Sequence, residues 1–87
     1  MNRTIDFTMD AYSFISALDA KQFKQVVGKC LALMSNPTPN DSAQLKGYAY
    51  LRVDIGEYRI IYSFDDNAVR IYVVGKRNDD EVYKKLQ

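Results

Sequence analysis

The sequence predicts an α+β fold, a helical hairpin packed on one face of a mainly antiparallel sheet. Three observations predict it. Apolar residues alternate with a period of two near the start of the chain. They recur at helical spacing through residues 10–34. The period of two then returns from residue 48 onward, broken by short turn signals.

Residues 4–9 alternate, with Ile5, Phe7 and Met9 facing one way and Thr4, Asp6 and Thr8 the other, which predicts a first strand. Residues 10–18 read as a short helix with Ala11, Phe14, Ile15 and Leu18 on one stripe. Asp19 is a good N-cap for a second helix, whose core face carries Phe23, Val26, Val27, Cys30, Leu31 and Met34. Asn36-Pro37 should end it, because proline disfavours the helical conformation in the residue before it. Residues 36–43 (NPTPNDSA) are rich in turn formers and read as a loop. Leu51, Val53 and Ile55 then alternate with Arg52 and Asp54. Gly56-Glu57 is a tight hairpin turn, residues 58–64 a β-branched and aromatic strand, and Asp65-Asp66-Asn67 a second turn. Residues 69–74 form the next strand, Gly75 permits an abrupt exit, and Asp79 caps a final short helix through Leu86. On this register Arg52, Asp54, Arg59 and Ile61 share the sheet face that the helices leave open.

The length holds one small domain, residues 1–87, with a modest core that a partner covering apolar surface would stabilise. An apolar fraction of 47% argues against disorder of the whole chain. Cys30 is the lone cysteine, so no internal disulfide is possible. It falls at helical spacing among apolar residues, and no histidine exists to activate it, so core packing is the expectation. The missing histidine also removes the commonest general base and zinc ligand, and the carboxylate spacing supports no metal site. No apolar run approaches the roughly 20 residues that span a bilayer, and the first residues lack a signal-peptide core. A cytoplasmic protein with no membrane partner is expected. A net charge of +1 means that any polyanion must be met by a local cluster of cations.

Arg59 is the sharpest candidate, since it interrupts the apolar strand YRIIYSF. A charge there must be paired or face water. It can form a salt bridge to Asp54 or Glu57 across the hairpin, or it can bind phosphate through paired hydrogen bonds. Lys76 and Arg77 follow a strand and are either a solvated turn or further phosphate ligands. Lys46 precedes a strand and is either a loop lysine or a weaker cation of the same kind. Tyr83 is spaced to pack with Leu86 on the last helix. Facing Arg59 and Arg77, it could serve as a base or stack on a nucleobase.

The blocks Leu45-Lys46-Gly47, Gly56-Glu57-Tyr58-Arg59-Ile60-Ile61-Tyr62, Val74-Gly75-Lys76-Arg77 and Glu81-Val82-Tyr83 resemble the RelE/ParE toxin superfamily. The resemblance covers residues 45–83 closely and the start of the chain more loosely. The ending Gly-Lys-Arg followed by Val-Tyr is similar to the RelE branch, whose members cleave messenger RNA in the ribosomal A site. The resemblance implies a RelE-like fold and a toxin of a type II toxin–antitoxin pair. It implies that Arg59 holds the scissile phosphate, that Arg77 stabilises the leaving group, and that Tyr83 stacks on the substrate and helps activate the 2′-hydroxyl. Arg52 would match one of two basic residues of the second long strand, Lys46 a basic residue in the loop before it, and Lys76 a further RNA-binding cation. Asp54 departs from the pattern, standing where RelE-type sequences often carry a second lysine or arginine; there it would repel phosphate and could pair with Arg59 or Arg52.

The resemblance further implies a small cognate antitoxin as partner, messenger RNA on the ribosome as substrate, no cofactor and no metal. It allows for operator DNA binding by the toxin–antitoxin complex. Two other readings stay open. One is a ParE-type toxin that inhibits gyrase, in which the cations are incidental. The other is a member that keeps antitoxin binding and has lost catalysis, a reading that Asp54 and the low net charge support.

Overall fold

The structure, a computed structural model, describes residues 3–79 and 81–86. Strand β1 (Thr4–Phe7) leads into helices α1 (Met9–Ser16) and α2 (Ala20–Ala32). Strands β2 (Ala43–Gln44), β3 (Leu51–Ile55), β4 (Tyr58–Phe64) and β5 (Ala68–Lys76) follow, then a 3₁₀ turn at Arg77–Asp79 and helix α3 (Glu81–Lys85). The sheet order is β1-β5-β4-β3-β2. β1 runs parallel to β5, and the other neighbours are antiparallel. The predicted α+β arrangement is therefore present.

The first strand is shorter than its alternation predicts. Thr8 leaves the strand to cap α1: its hydroxyl accepts from the Ala11 amide at 3.2 Å and donates to the Tyr72 carbonyl at 2.6 Å. Met9 becomes the first helical residue and Asp10 lies in the first turn, where a carboxylate suits the positive end of the helix dipole. Asp19 caps α2 as expected, accepting from the Gln22 amide at 3.2 Å. That helix stops at Ala32, ahead of the proline, and buries Val26 and Cys30, with Leu33 just beyond it. Phe23 and Leu31, expected on the core face, are exposed instead. Burial pushes the Cys30 thiol up to about 12, as suits a packing residue.

The sheet separates two apolar layers. Ala11, Ile15, Val26, Cys30 and Leu33 of the helical side meet Val53, Tyr58, Ile60, Tyr62, Val69, Ile71 and Val74. Tyr62 reaches through this layer to donate to the Pro37 carbonyl at 2.7 Å, which holds down the loop before β2. On the other face Leu45, Ile61, Val73 and Val82 are buried, with Tyr50, Tyr72, Tyr83 and Leu86 packed against them. A bulge serves this second layer. Ile61 pairs with Val73 while Tyr62 pairs with Ile71, so Tyr72 is the extra residue and turns outward beside Val73.

The end of β5 also differs from expectation. Gly75 is not an exit; it pairs with Arg59, and the strand continues to Lys76. A Cβ on Gly75 would stand 3.1 Å from Val82 Cγ1 and 3.4 Å from Glu81 Cβ. The glycine therefore lets α3 lie directly on the strand. The helix end is fixed by Lys85, which donates to the Val74 carbonyl at 3.3 Å and lies 3.4 Å from the Asp10 carboxylate. The cap expected from Asp79 rests on a side chain outside the described residues. The two-residue strand β2, pairing with Leu51 and Arg52, was not expected from the sequence.

Candidate active site

The two-residue turn between β3 and β4 sets the geometry of the site. Gly56 takes φ +58°, a left-handed conformation that glycine adopts without strain. The turn fixes the register Ile55–Tyr58, Asp54–Arg59 and Arg52–Ile61. Asp54, Arg59 and Arg52 thus share the face away from the helices, where the sequence register placed them. A slip of one residue would send Arg59 into the helical core.

Arg59 clasps Asp54 through two hydrogen bonds, Nε to Oδ1 at 2.8 Å and Nη2 to Oδ2 at 3.1 Å. Its remaining nitrogen, Nη1, donates to the Tyr83 hydroxyl at 2.7 Å. The guanidinium carbon also lies 5.8 Å from the Tyr83 ring centroid. All three nitrogens of Arg59 are therefore engaged. The pair is largely covered, with the Arg59 side chain only 16% exposed and that of Asp54 26%. The Arg59 hydrogen bonds hold the Asp54 carboxyl below its ordinary range against the opposing effect of burial. Asp54 in turn raises Arg59 above its own.

Two more arginines converge on the same carboxylate. Arg77 Nη1 lies 3.7 Å from Asp54 Oδ2, and Arg52 Nη1 lies 3.9 Å from it. These are ion-pair contacts longer than hydrogen bonds, and both side chains are more exposed than Arg59. Arg77 is brought there by the 3₁₀ turn, whose first amide donates to the Glu57 carbonyl at 3.0 Å. Tyr83 is brought there by α3, seated over Gly75 through the buried Val82. Four elements, β3, β4, the 3₁₀ turn and α3, thus deliver a tyrosine hydroxyl and three guanidinium groups to one small area. Two cations proposed from the sequence stand elsewhere. Lys76 pairs with Tyr58, a residue of the helical layer, and so alternates away from Arg59. Lys46 is exposed on the turn before β3, where Gly47 takes φ +84°, and it is not among the cations on Asp54.

Of the two carboxylates that the sequence offers Arg59 across the hairpin, the structure selects Asp54. The hairpin turn was the signal for it, since a two-residue loop sets positions 54 and 59 opposite each other. Beyond the arginines, the outer face carries a row of tyrosines. Tyr48 stacks on Tyr50 at 6.1 Å between centroids, and Tyr50 meets Tyr72 at 4.6 Å. Among the described residues no group of three or more His, Cys, Asp or Glu side chains is placed to hold a metal ion. No helix among them is long and apolar enough to cross a membrane.

The family model described as "ParE toxin of type II toxin-antitoxin system, parDE" matches residues 5–81. The chain belongs to this family. Solved toxins of similar structure agree on the fold. The RelE–RelB complex of Pyrococcus horikoshii OT3 contains a chain with a TM-score of 0.78 at 21% identity, covering 91% of this chain and 99% of that one. A mutant of the E. coli toxin RelE in the free state also gives 0.78, at 24% identity, covering 97% and 93%. The toxin–antitoxin complex RelBE2 of Mycobacterium tuberculosis gives 0.77 at 24% identity, covering 88% and 100%. No curated protein matches the chain. The protein is thus a type II toxin of the RelE/ParE superfamily with a RelE-like structure, as the resemblance in residues 45–83 implied. Two of these structural relatives were crystallised in toxin–antitoxin complexes.

Proposed function

We propose that this toxin is an endoribonuclease that cuts messenger RNA on the ribosome, using Arg59, Arg77 and Tyr83. The observation that carries the reading is the 2.7 Å hydrogen bond from Arg59 to Tyr83, with Arg77 drawn to the same carboxylate that Arg59 holds. Arginine is a poor base and a good electrostatic clamp. Arg59 would hold the scissile phosphate. The 2′-hydroxyl attacks the phosphorus, and its proton passes to the Tyr83 oxygen as that hydroxyl releases its own proton to solvent. The bond from phosphorus to the 5′-oxygen breaks, and Arg77 stabilises that oxygen until it takes up a proton from solvent. The products are a 2′,3′-cyclic phosphate and a 5′-hydroxyl. A site with this few groups gains much from a ribosome that orients the substrate.

A cognate antitoxin is the partner this reading calls for. Helix α3 spans five residues and carries Tyr83. An antitoxin that lifts α3 separates Tyr83 from Arg59 and silences the site; an antitoxin complex with the pair still in contact would count against this.

The family match favours a second reading, inhibition of gyrase, in which the arginine cluster is structural. Induction of the wild type, Arg59→Ala and Arg77→Ala in cells separates the two. The nuclease reading expects new message 5′ ends inside translated codons, mapped by primer extension, and their loss in both variants. Growth arrest with intact messages and altered plasmid supercoiling, undiminished in the variants, would overturn it.

A further inference from the structure

We propose that Asp54 is a specificity-determining residue: its carboxylate occupies the phosphate position of the site and must be displaced before RNA can bind. The inference rests on the nuclease reading for its consequence, and on geometry for its substance. Two parallel N–H···O bonds join Arg59 to Asp54, the arrangement by which a guanidinium also grips two oxygens of a phosphate. The Nε and Nη2 edge of Arg59 is therefore already filled by an internal anion. The Asp54 oxygen that accepts from Nη2 is also the one nearest Arg77 and Arg52. The carboxylate sits where the three guanidinium groups converge, as a phosphate would.

The contacts are graded in a way that suits an occupant that can be exchanged. Arg59 is hydrogen-bonded to Asp54, while Arg77 and Arg52 approach only to 3.7 and 3.9 Å and keep more exposed side chains. Those two can turn to an incoming phosphate without losing a hydrogen bond to Asp54. Arg59 cannot. A phosphodiester must either replace Asp54 on Arg59 or sit beside an unreleased negative charge. Asp54 lies on a paired strand with its backbone fixed, so its side chain cannot withdraw far and continues to repel the phosphate. Free RNA, which gains only its own phosphate contacts, is thereby held off. A substrate positioned by a larger assembly brings the additional binding needed to displace the carboxylate. Asp54 thus narrows the toxin to delivered substrates rather than abolishing its chemistry.

The test measures binding of a fluorescein-labelled single-stranded RNA of mixed sequence to purified protein by anisotropy, at one fixed salt concentration. Wild type, Asp54→Asn, Asp54→Ser and the double variant Asp54→Asn/Arg59→Ala are compared, with folding checked by circular dichroism. The inference expects both single variants to bind about tenfold tighter or more than wild type, an advantage that adding Arg59→Ala removes. Equal or weaker binding by a folded single variant overturns it. Failure of both single variants to fold overturns it too, because the carboxylate would then serve stability. Cleavage of message by translating ribosomes is read in parallel. Tighter binding with no cleavage by any variant retains the role of Asp54 and rejects the nuclease reading. Cleavage by wild type without tighter binding in the variants does the reverse.

Discussion

The Nη1 of Arg59 donates to the hydroxyl of Tyr83 at 2.7 Å, which links the centre of the sheet to the last helix across 24 positions of sequence. Replacing Tyr83 with Phe removes that bond and keeps the ring beneath the guanidinium. Stability should fall by about 1.5 kcal/mol, the lower end of what a hydrogen bond to a charged group contributes, because the site is only partly covered. Message cleavage should fall by about 10²–10⁴, the range for losing a positioned proton acceptor. Urea unfolding and cleavage by programmed ribosomes measure the two quantities. Unchanged cleavage would reduce Tyr83 to a stacking surface.

Gly75→Val tests whether α3 must lie flat on β5. A Cβ there already crowds Val82 Cγ1 at 3.1 Å, and the branches of valine add to the clash. Val82 is fully buried and has little room to yield. The variant should lose about 1–3 kcal/mol of stability, as overpacked sites do. Its α3 amides should exchange faster with solvent, and its cleavage should drop although Arg59 and Arg77 are intact. Full activity with a loosened α3 would show that Tyr83 need not be held in place.

Acid should weaken the protein through the turn at Asp65. Its carboxylate accepts from the Asn67 and Ala68 amides at 2.8 and 2.9 Å and pairs with Arg70 at 3.0 Å. These bonds, the backbone ones first, lower its pKa from 3.8 to about 2. A depressed carboxyl stabilises the fold above its unfolded value, and that stability is lost as pH falls through the folded one. The contribution is thus complete above about pH 5 and is lost progressively toward about pH 1. Asp54, lowered chiefly by its hydrogen bonds from Arg59, and Asp41, lowered chiefly by Lys29, act in the same sense. Asp65→Ala should be less stable near neutral pH and should decline less steeply in acid. A decline as steep as that of the wild type would place the acid sensitivity in other groups.

Much of this arrangement was legible in the sequence, and each exception has a physical reason. Residues 10–34 and 51–74 showed their helices and strands because one face of each is buried and its apolar residues keep the element's period. Asp19 and Gly56 were readable because a cap and a tight turn depend on neighbours in sequence. Thr8 caps its helix through an equally local bond to the Ala11 amide, and it is hidden only because the alternation of Ile5, Phe7 and Met9 runs straight through it. Gly75 looks locally like a strand end because its purpose, to admit α3, is a tertiary requirement. Lys76 and Arg77 look alike because they are adjacent, whereas successive residues of a strand face opposite ways: Lys76 pairs with Tyr58 and so faces away from Arg59, and Arg77 is carried by the turn beyond the strand. The site followed the same rule. The Arg59–Asp54 pair was foreseeable across a two-residue turn, and the contact of Arg59 with Tyr83 was not fixed by any local pattern.

The most direct measurement adds purified toxin to ribosomes paused on a defined message and determines the chemistry of the new RNA ends. The account predicts a cut within the codon presented to the toxin, leaving a 2′,3′-cyclic phosphate and a 5′-hydroxyl, with Arg77→Ala slower by about 10²-fold or more. An intact message beside folded wild-type toxin, or equal cleavage by Arg77→Ala, would contradict it.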